Sequence, residues 1–340
     1  MDIKTIFTCL IAFLFSAFTT WLVRLYALRK AILDIPNERS SHTTPTPRGG
    51  GIAVVLTFCL SILWLRITNT IEPNLTWALI GGGIVIAAIG YCDDVYTIKA
   101  RWRFALHFAV AIWALYWLGG FSVLDLGTWK ISLHWAGSVL AIISIIWCIN
   151  FYNFMDGIDG LAGSEGIFIS LASGIALWLV GAPNSALVLW LLTASIAGFT
   201  LWNWPPAKIF LGDVGSGFLG YIFAALALDT INKGFLPIAF WWIIIAVFLC
   251  DATFTLVYRV YQGKKWYSAH REHAYQHLTS CGANHKQVTT RIVILNCCVL
   301  LPMAFFVLYQ PAQSLLLMAA STICLWLIWV WIKSRPISKL

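Results

Sequence analysis

The chain has 340 residues, of which 60% are hydrophobic types and only 11% are Asp, Glu, Lys or Arg. Soluble domains carry about 25% charged residues, so the composition excludes an ordinary cytosolic enzyme, a disordered chain, a collagen-like repeat and a small disulfide scaffold. The net charge of +8 points to nucleic acid or to an anionic membrane surface, and the positions of the charges decide between them.

A membrane span needs about 20 predominantly apolar residues. In chain order eleven stretches qualify: 3–23, 51–68, 75–91, 103–118, 134–152, 164–181, 185–203, 215–230, 236–257, 291–309 and 312–332. The first follows only Lys4 and has no small-residue cleavage site after it, so it reads as an anchor helix rather than a cleaved signal. The expected fold is therefore an all-α polytopic integral membrane protein of about 11 transmembrane helices, forming a single domain over 1–340. Cys9, Cys59, Cys148, Cys250, Cys297, Cys298 and Cys324 lie in apolar runs, and no C-x-x-C is present; these are packing residues.

Numbering the faces alternately sorts the basic residues. Of the 22 Lys and Arg, all but Lys4, Arg66, Lys130 and Lys233 fall on one face, Arg39 and Lys339 among them. The positive-inside rule makes that face cytoplasmic, with the N-terminus outside and the C-terminus inside. The net charge then needs no nucleic acid partner. The long connections, 24–50, 92–102, 153–163, 204–214 and 258–290, lie on the same face, so function is expected on cytoplasmic loops.

Only 14 acidic residues occur, which makes their placement informative. Asp93 and Asp94 stand side by side where the third stretch exits, followed by Lys99, Arg101 and Arg103. Adjacent carboxylates repel unless a cation or proton relieves them. Asn150, Asn153, Asp156 and Asp159 recur at spacing three, on one stripe if helical, while Gly157 and Gly160 allow a turn instead. Either geometry gathers the oxygen ligands that a hard cation such as Mg²⁺ or a polar substrate wants. In Leu211-Gly-Asp213-Val-Gly-Ser216-Gly, the glycines let backbone amides approach an anion while Asp213 holds a metal; a plain helix cap is the alternative. His270-Arg271-Glu272-His273 suits phosphate oxygens, and Arg48 before Gly49-Gly50-Gly51 faces a lipid phosphate or a flexible helix start. Asp251 lies inside the ninth stretch, where an acid is costly enough to be a functional suspect. Asp34 and Glu165 read as capping or surface charges.

Together these segments resemble the polyprenyl-phosphate N-acetylhexosamine-1-phosphate transferase family, and the O-antigen- or surface-polysaccharide-initiating branch within it. Pro47–Gly51, Asp93-Asp94, Asn150–Gly163, Leu211–Gly217, Asp251 and the histidine loop occur in the family's order, and Asn-x-x-Asp-Gly-x-Asp-Gly-Leu-Ala is the most specific piece. The resemblance implies transfer of an N-acetylamino-sugar 1-phosphate from a UDP-sugar to undecaprenyl phosphate, releasing UMP, at the bacterial inner membrane, by a monomer or a homodimer. The donor it implies is UDP-GlcNAc or a 6-deoxy sugar such as UDP-FucNAc or UDP-QuiNAc. It further implies Mg²⁺, or Mn²⁺ in its place, on Asn153 and Asp213, with Asp93, Asp94, Asp156 and Asp159 as catalytic acids. Arg48, Lys99, Arg101, Asn150, His270, Arg271 and His273 are the implied substrate contacts. Lys99 and Arg101 compete for one basic role, because Lys99 stands closer to the acid pair than the family's usual residue. Two alternatives are the pentapeptide transferase of cell-wall synthesis, which typically carries adjacent histidines, and a secondary transporter, whose charges would lie near the bilayer midplane.

Overall fold

The structure, a computed structural model, describes residues 3–36, 44–96, 98–265 and 270–336; Arg39 and Lys339 of the charge count lie outside them. Its helices are α1 (Ile3–Arg29), α2 (Gly51–Ile67), α3 (Pro73–Tyr96), α4 (Ala100–Leu118), α5 (His134–Phe154), α6 (Leu161–Leu179), α7 (Pro183–Asn203), α8 (Asp213–Asn232), α9 (Ile238–Ile244), α10 (Ala246–Tyr261), α11 (Ala274–Ser280), α12 (His285–Tyr309) and α13 (Pro311–Lys333). All eleven stretches expected from the sequence are helical. Among the described residues eight helices are long and apolar enough to cross a membrane, and the pair α9–α10, bent by 74° at Ile245, makes a ninth if counted as one span. Helix α2, with 17 residues, is shorter, and α4 opens with Arg101 and Arg103. The chain is an all-α multi-pass membrane protein.

Helix α8 is the centre of the bundle. Its spanning window is 83% buried, against 17% for α1 and 22% for α13, which face lipid. The small residues of Asp213-Val-Gly-Ser-Gly allow this. A Cβ on Gly51 would lie 2.4 Å from the Gly215 Cα, and one on Gly90 2.4 Å from the Asp213 carbonyl oxygen. The first turn of α2 and the last turns of α3 therefore rest directly on the backbone of the first turn of α8. Asn153, near the end of α5, donates to Ser216 Oγ at 2.9 Å, which brings a fourth helix end to the same place.

Two short antiparallel ladders join loops. β1 (Leu33–Asp34) pairs with β2 (Thr46–Pro47), and β3 (Val123–Asp125) with β4 (Lys130–Ser132) at the opposite end of the bundle. Glu165 departs from its reading as a surface or capping charge. It is 1% exposed on α6, and its Oε2 accepts from Asn296 Nδ2 of α12 at 2.6 Å. An amide on a neighbouring helix, not solvent, supplies the hydrogen bond that a buried carboxyl requires.

Candidate active site

Backbone pairing between two loops builds the floor of the site. The Phe210 N–H donates to the Pro47 carbonyl, Gly50 N–H to the Phe210 carbonyl and Gly51 N–H to the Leu211 carbonyl, each at 2.8 Å. This zipper carries Arg48 to the start of α8. Gly212 turns the chain there with φ +77°, and a Cβ on it would come 2.6 Å from Asp94 Oδ2. Glycine is required on both counts.

Asp94 uses that space to cap α8. Its oxygens accept from the Asp213 N–H at 3.2 Å and the Val214 N–H at 3.4 Å, the favourable place for an anion on a helix axis. The helix cap, the alternative reading of this segment, is thus supplied from α3, which leaves Asp213 for other work. Arg48 reaches Asp94 at 3.4 Å and Asp34 at 3.0 Å, so Asp34 is an ion-pair partner within the site rather than a surface charge. Burial opposes the charge on Arg48, but Asp94, Asp34, Asp213 and Asp156 surround it and hold its pKa above the usual arginine value.

Asp93 is held differently. It accepts the Ile98 N–H at 2.6 Å and pairs with the Arg103 guanidinium, which also stands 3.8 Å from Asp213 Oδ2. The Asn153 amide, which donates to Ser216, stands beside the Asp213 carboxylate. Asp156, in the turn after α5, has its pKa raised well above the carboxylate range, first by burial and then by Asp213 and Asp94, with Arg48 opposing. Below this group, a cavity of about 380 Å³ runs between α3, α4, α5 and α8. Asp93, Arg101, Arg103, His107, Asn150, Asn153 and Asp213 line its polar side, and Ile86, Ile89 and Phe104 its apolar side.

Of the residues singled out in the sequence, the structure brings Arg48, Asp93, Asp94, Asn153, Asp156 and Asp213 together. Asn150 lines the cavity while its amide nitrogen donates to the Ile146 carbonyl at 2.7 Å. Arg101 also lines the cavity and stands over the Trp102 ring at 5.7 Å. Lys99 is exposed at the start of α4. Asp159 is turned to other partners. Its oxygens lie 3.2 Å from His285 Nδ1 and 3.0 Å from the Ala207 N–H, fastening the α5–α6 loop to α12 and to the α7–α8 connection.

The histidine loop hangs from α10. Asp251 Oδ1 accepts the Ala274 N–H at 2.8 Å and the Thr255 hydroxyl at 3.1 Å, while Oδ2 accepts the Tyr275 N–H at 3.3 Å. The intramembrane acid is therefore the cap of α11, and it also stands 3.8 Å from His273 Nδ1. The rings of His270 and His273 are 4.9 Å apart, His273 stacks on Phe154 at 6.1 Å, and the Tyr275 hydroxyl donates to the Phe154 carbonyl at 2.9 Å. Burial, with His273 and Arg259 adding to it, pushes His270 down to about 4. Arg271 acts electrostatically on Tyr275, as Asp156 does, so the loop borders the acid cluster.

Sequence reasoning missed His107 and the anchors His285 and Asn203, and it named Arg103 after the acid pair without giving it a site role. Asn203 Oδ1 accepts the Gly160 N–H at 2.9 Å, and its Nδ2 donates to the Ile209 carbonyl at 2.9 Å. For Arg103 and His107 a signal existed, since they lie four apart on one helix face just beyond the acid pair. No group of three or more His, Cys, Asp or Glu that would cage a metal occurs among the described residues. Mg²⁺ takes one or two carboxylates and completes its shell with water and substrate phosphates; Asp213 beside the Asn153 amide fits that donor set.

Fold and site define a multi-pass membrane protein with a cluster of carboxylates and arginines at one end of its bundle, over a cavity that is polar on one side and apolar on the other. Residues 76–231 match the family model described as glycosyl transferase family 4. The chain is 29% identical over 300 residues to the Bacillus subtilis (strain 168) protein named "Probable undecaprenyl-phosphate N-acetylglucosaminyl 1-phosphate transferase", covering 84% of this chain and 81% of that one. It is 28% identical over 307 residues to the Escherichia coli (strain K12) protein named "Undecaprenyl-phosphate alpha-N-acetylglucosaminyl 1-phosphate transferase", covering 86% and 82%. A Yersinia pestis protein of the same name is 29% identical with the same coverage. The matched family and these relatives support the polyprenyl-phosphate N-acetylhexosamine-1-phosphate transferase family for this chain.

Proposed function

We propose that the chain transfers an N-acetylamino-sugar 1-phosphate from a UDP-sugar to undecaprenyl phosphate at the cytoplasmic face of a bacterial inner membrane. UMP is released, and the lipid-linked sugar initiates an O-antigen or related polysaccharide. The names of the relatives favour UDP-GlcNAc as donor; UDP-FucNAc and UDP-QuiNAc differ from it at few positions and remain in the panel to be tested. The orientation follows the positive-inside rule: eleven spans, N-terminus outside and the site inside.

One observation carries the reading. The carboxylate–arginine cluster has two approaches of opposite character. From the membrane side comes a cavity with an apolar wall of Ile86, Ile89 and Phe104, which suits a phosphate on a prenyl chain. From the aqueous side comes the His270–His273 loop, which suits a nucleotide.

An oxygen of the lipid phosphate attacks the β-phosphorus of the UDP-sugar. One P–O bond forms, the bond from that phosphorus to the bridging oxygen breaks, and UMP departs in line. Both reactants are anions, so Arg48, Arg101 and Arg103 offset their repulsion. The oxygens of Asp93 and Asp94 are engaged by Arg103, the Ile98 amide, Arg48 and the first turn of α8. That arrangement fits acids that fix arginines and helix ends in place rather than a pair waiting for a proton. Little proton transfer is needed, because a phosphate's second pKa is about 6 and the acceptor is largely dianionic at neutral pH. Asp213 and Asn153 would hold Mg²⁺, which neutralises charge on the pyrophosphate when bound. Asp159, tied to His285 and Ala207, acts by holding the α5–α6 loop.

The test is transfer of radiolabelled sugar into undecaprenyl phosphate across a panel of UDP-amino-sugars, with Mg²⁺ or EDTA, for the parent and Asp213→Asn. Lipid-linked product that requires both Mg²⁺ and Asp213 supports the proposal. Folded protein that makes no product with any donor overturns it.

A further inference from the structure

We infer that His107 is a positioning residue for the lipid acceptor, donating a hydrogen bond to its phosphate; the inference rests on the transferase reading above. His107 lies on α4 one helical turn beyond Arg103, and both face the cavity that Asp93, Asn153 and Asp213 line. The neighbours Phe108 and Ile112 are turned away from it instead, at 44% and 48% exposure. Arg103 and Asp93 are the charged groups that act on the ring. No group among the described residues hydrogen-bonds the imidazole. A half-buried imidazole loses part of its hydration and calls for a hydrogen-bond partner in its place, and His107 lines the cavity from which one would come.

The position selects the acceptor over the nucleotide. His107 is deeper along α4 than Arg103 and lies on the membrane side of Asp93, with Ile86, Ile89 and Phe104 as the adjoining wall. A phosphate entering from the bilayer passes His107 before it meets Arg103, whereas a nucleotide from the histidine loop meets Asp156 and Asp213 first. An imidazole carries an N–H whether neutral or protonated, so the contact does not depend on pH. His107, Arg103 and Arg101 together then align three donors along the path of one phosphate, which fixes the direction from which its oxygen approaches the β-phosphorus.

The experiment is steady-state kinetics of the full-length chain in detergent with lipid, varying undecaprenyl phosphate and the UDP-sugar separately, for the parent, His107→Leu and His107→Gln. A hydrogen bond to a charged group is lost in His107→Leu, so its KM for undecaprenyl phosphate should rise about tenfold or more. The KM for the UDP-sugar and the melting temperature should stay near the parent values. His107→Gln, which keeps an N–H donor, should recover most of the loss, an effect that a merely structural role would not give. An acceptor KM within twofold of the parent in His107→Leu overturns the inference, as does an equal rise in both KM values or in the donor's alone. If His107→Leu fails to fold, the Gln and Asn variants decide: both keep an N–H donor, so a rise of about tenfold or more in acceptor KM in both overturns it. A parent that transfers no sugar at all overturns the transferase reading instead.

Discussion

Replacing Asp251 by Asn should loosen the histidine loop without touching the acid cluster. Asp251 is 8% exposed and accepts two backbone amides of α11 and the Thr255 hydroxyl. Asn keeps one acceptor oxygen and loses the charge, so one amide of the cap is left without a partner. A hydrogen bond to a charged group is worth roughly 1.5–3 kcal/mol, and because Asp251 is buried no discount for solvent screening applies. A loss of about 2 kcal/mol multiplies the opening equilibrium of α11 by about 30. Amide hydrogen exchange over Ala274–Ser280 in lipid nanodiscs reads this directly, as an acceleration of about that factor confined to the loop and α11. Exchange within twofold of the parent would refute the argument that the intramembrane acid exists to hold this helix. Activity should fall through the KM for the UDP-sugar, because the loop borders the nucleotide side.

Arg103→Gln leaves Asp93 and Asp213 facing each other with no guanidinium between them. With the Arg103 side chain 38% exposed, the loss of fold stability should stay near 1 kcal/mol, while turnover falls about 100-fold as transition-state charge goes unmatched; turnover within threefold of the parent would count against the role. Gly212→Ala puts a methyl 2.6 Å from Asp94 Oδ2 at φ +77°, so left-handed strain of about 1–2 kcal/mol adds to a displaced cap, and both melting temperature and activity should drop. A variant with parental values would show that the start of α8 tolerates a Cβ. His270, pushed down to about 4 mainly by burial, should remain neutral at pH 6 in histidine NMR of the substrate-free protein. Since the unfolded loop takes a proton that the folded one resists, the loop should lose stability as pH falls from about 6.5 toward 4; a midpoint near 6.5 in the folded protein would contradict the burial argument.

Most of the membrane helices were legible because apolar length defines a span: the eleven stretches are helical, and among the described residues eight helices, or nine with the bent pair, are long and apolar enough to cross. The acid cluster was legible for a related reason. In a chain this poor in charge, Asp93, Asp94, Asn153, Asp156 and Asp213 stand out, and each sits at the end of an apolar run where the fold brings helix ends together. What escaped depended on which partner each residue finds. Arg103 follows Lys99 and Arg101 at equal spacing, and only the orientation of α4 sends Arg103 to Asp93 while Arg101 goes to the cavity wall and Lys99 to solvent. Asp159 shares its spacing with Asp156, yet the turn at Gly160 sends it to His285. Asp34 lies 14 residues before Arg48, and only the β1–β2 ladder brings them together.

The direct seating of α2 and α3 on the glycines of α8 has a consequence for how the molecule varies. The start of α2 and the end of α3 meet the start of α8 backbone to backbone, so there is no side-chain layer between them to repack, and a change of a single methyl there shifts the carboxylates and arginines together. The segment that hangs from Asp251 is held through side chains instead: two amides of α11 bond to Asp251, and Glu272 pairs with Arg259 and Lys264. The protein thus combines a keystone, where nearly every substitution is felt, with a segment whose side-chain ties can be exchanged one at a time while the keystone stays as it is.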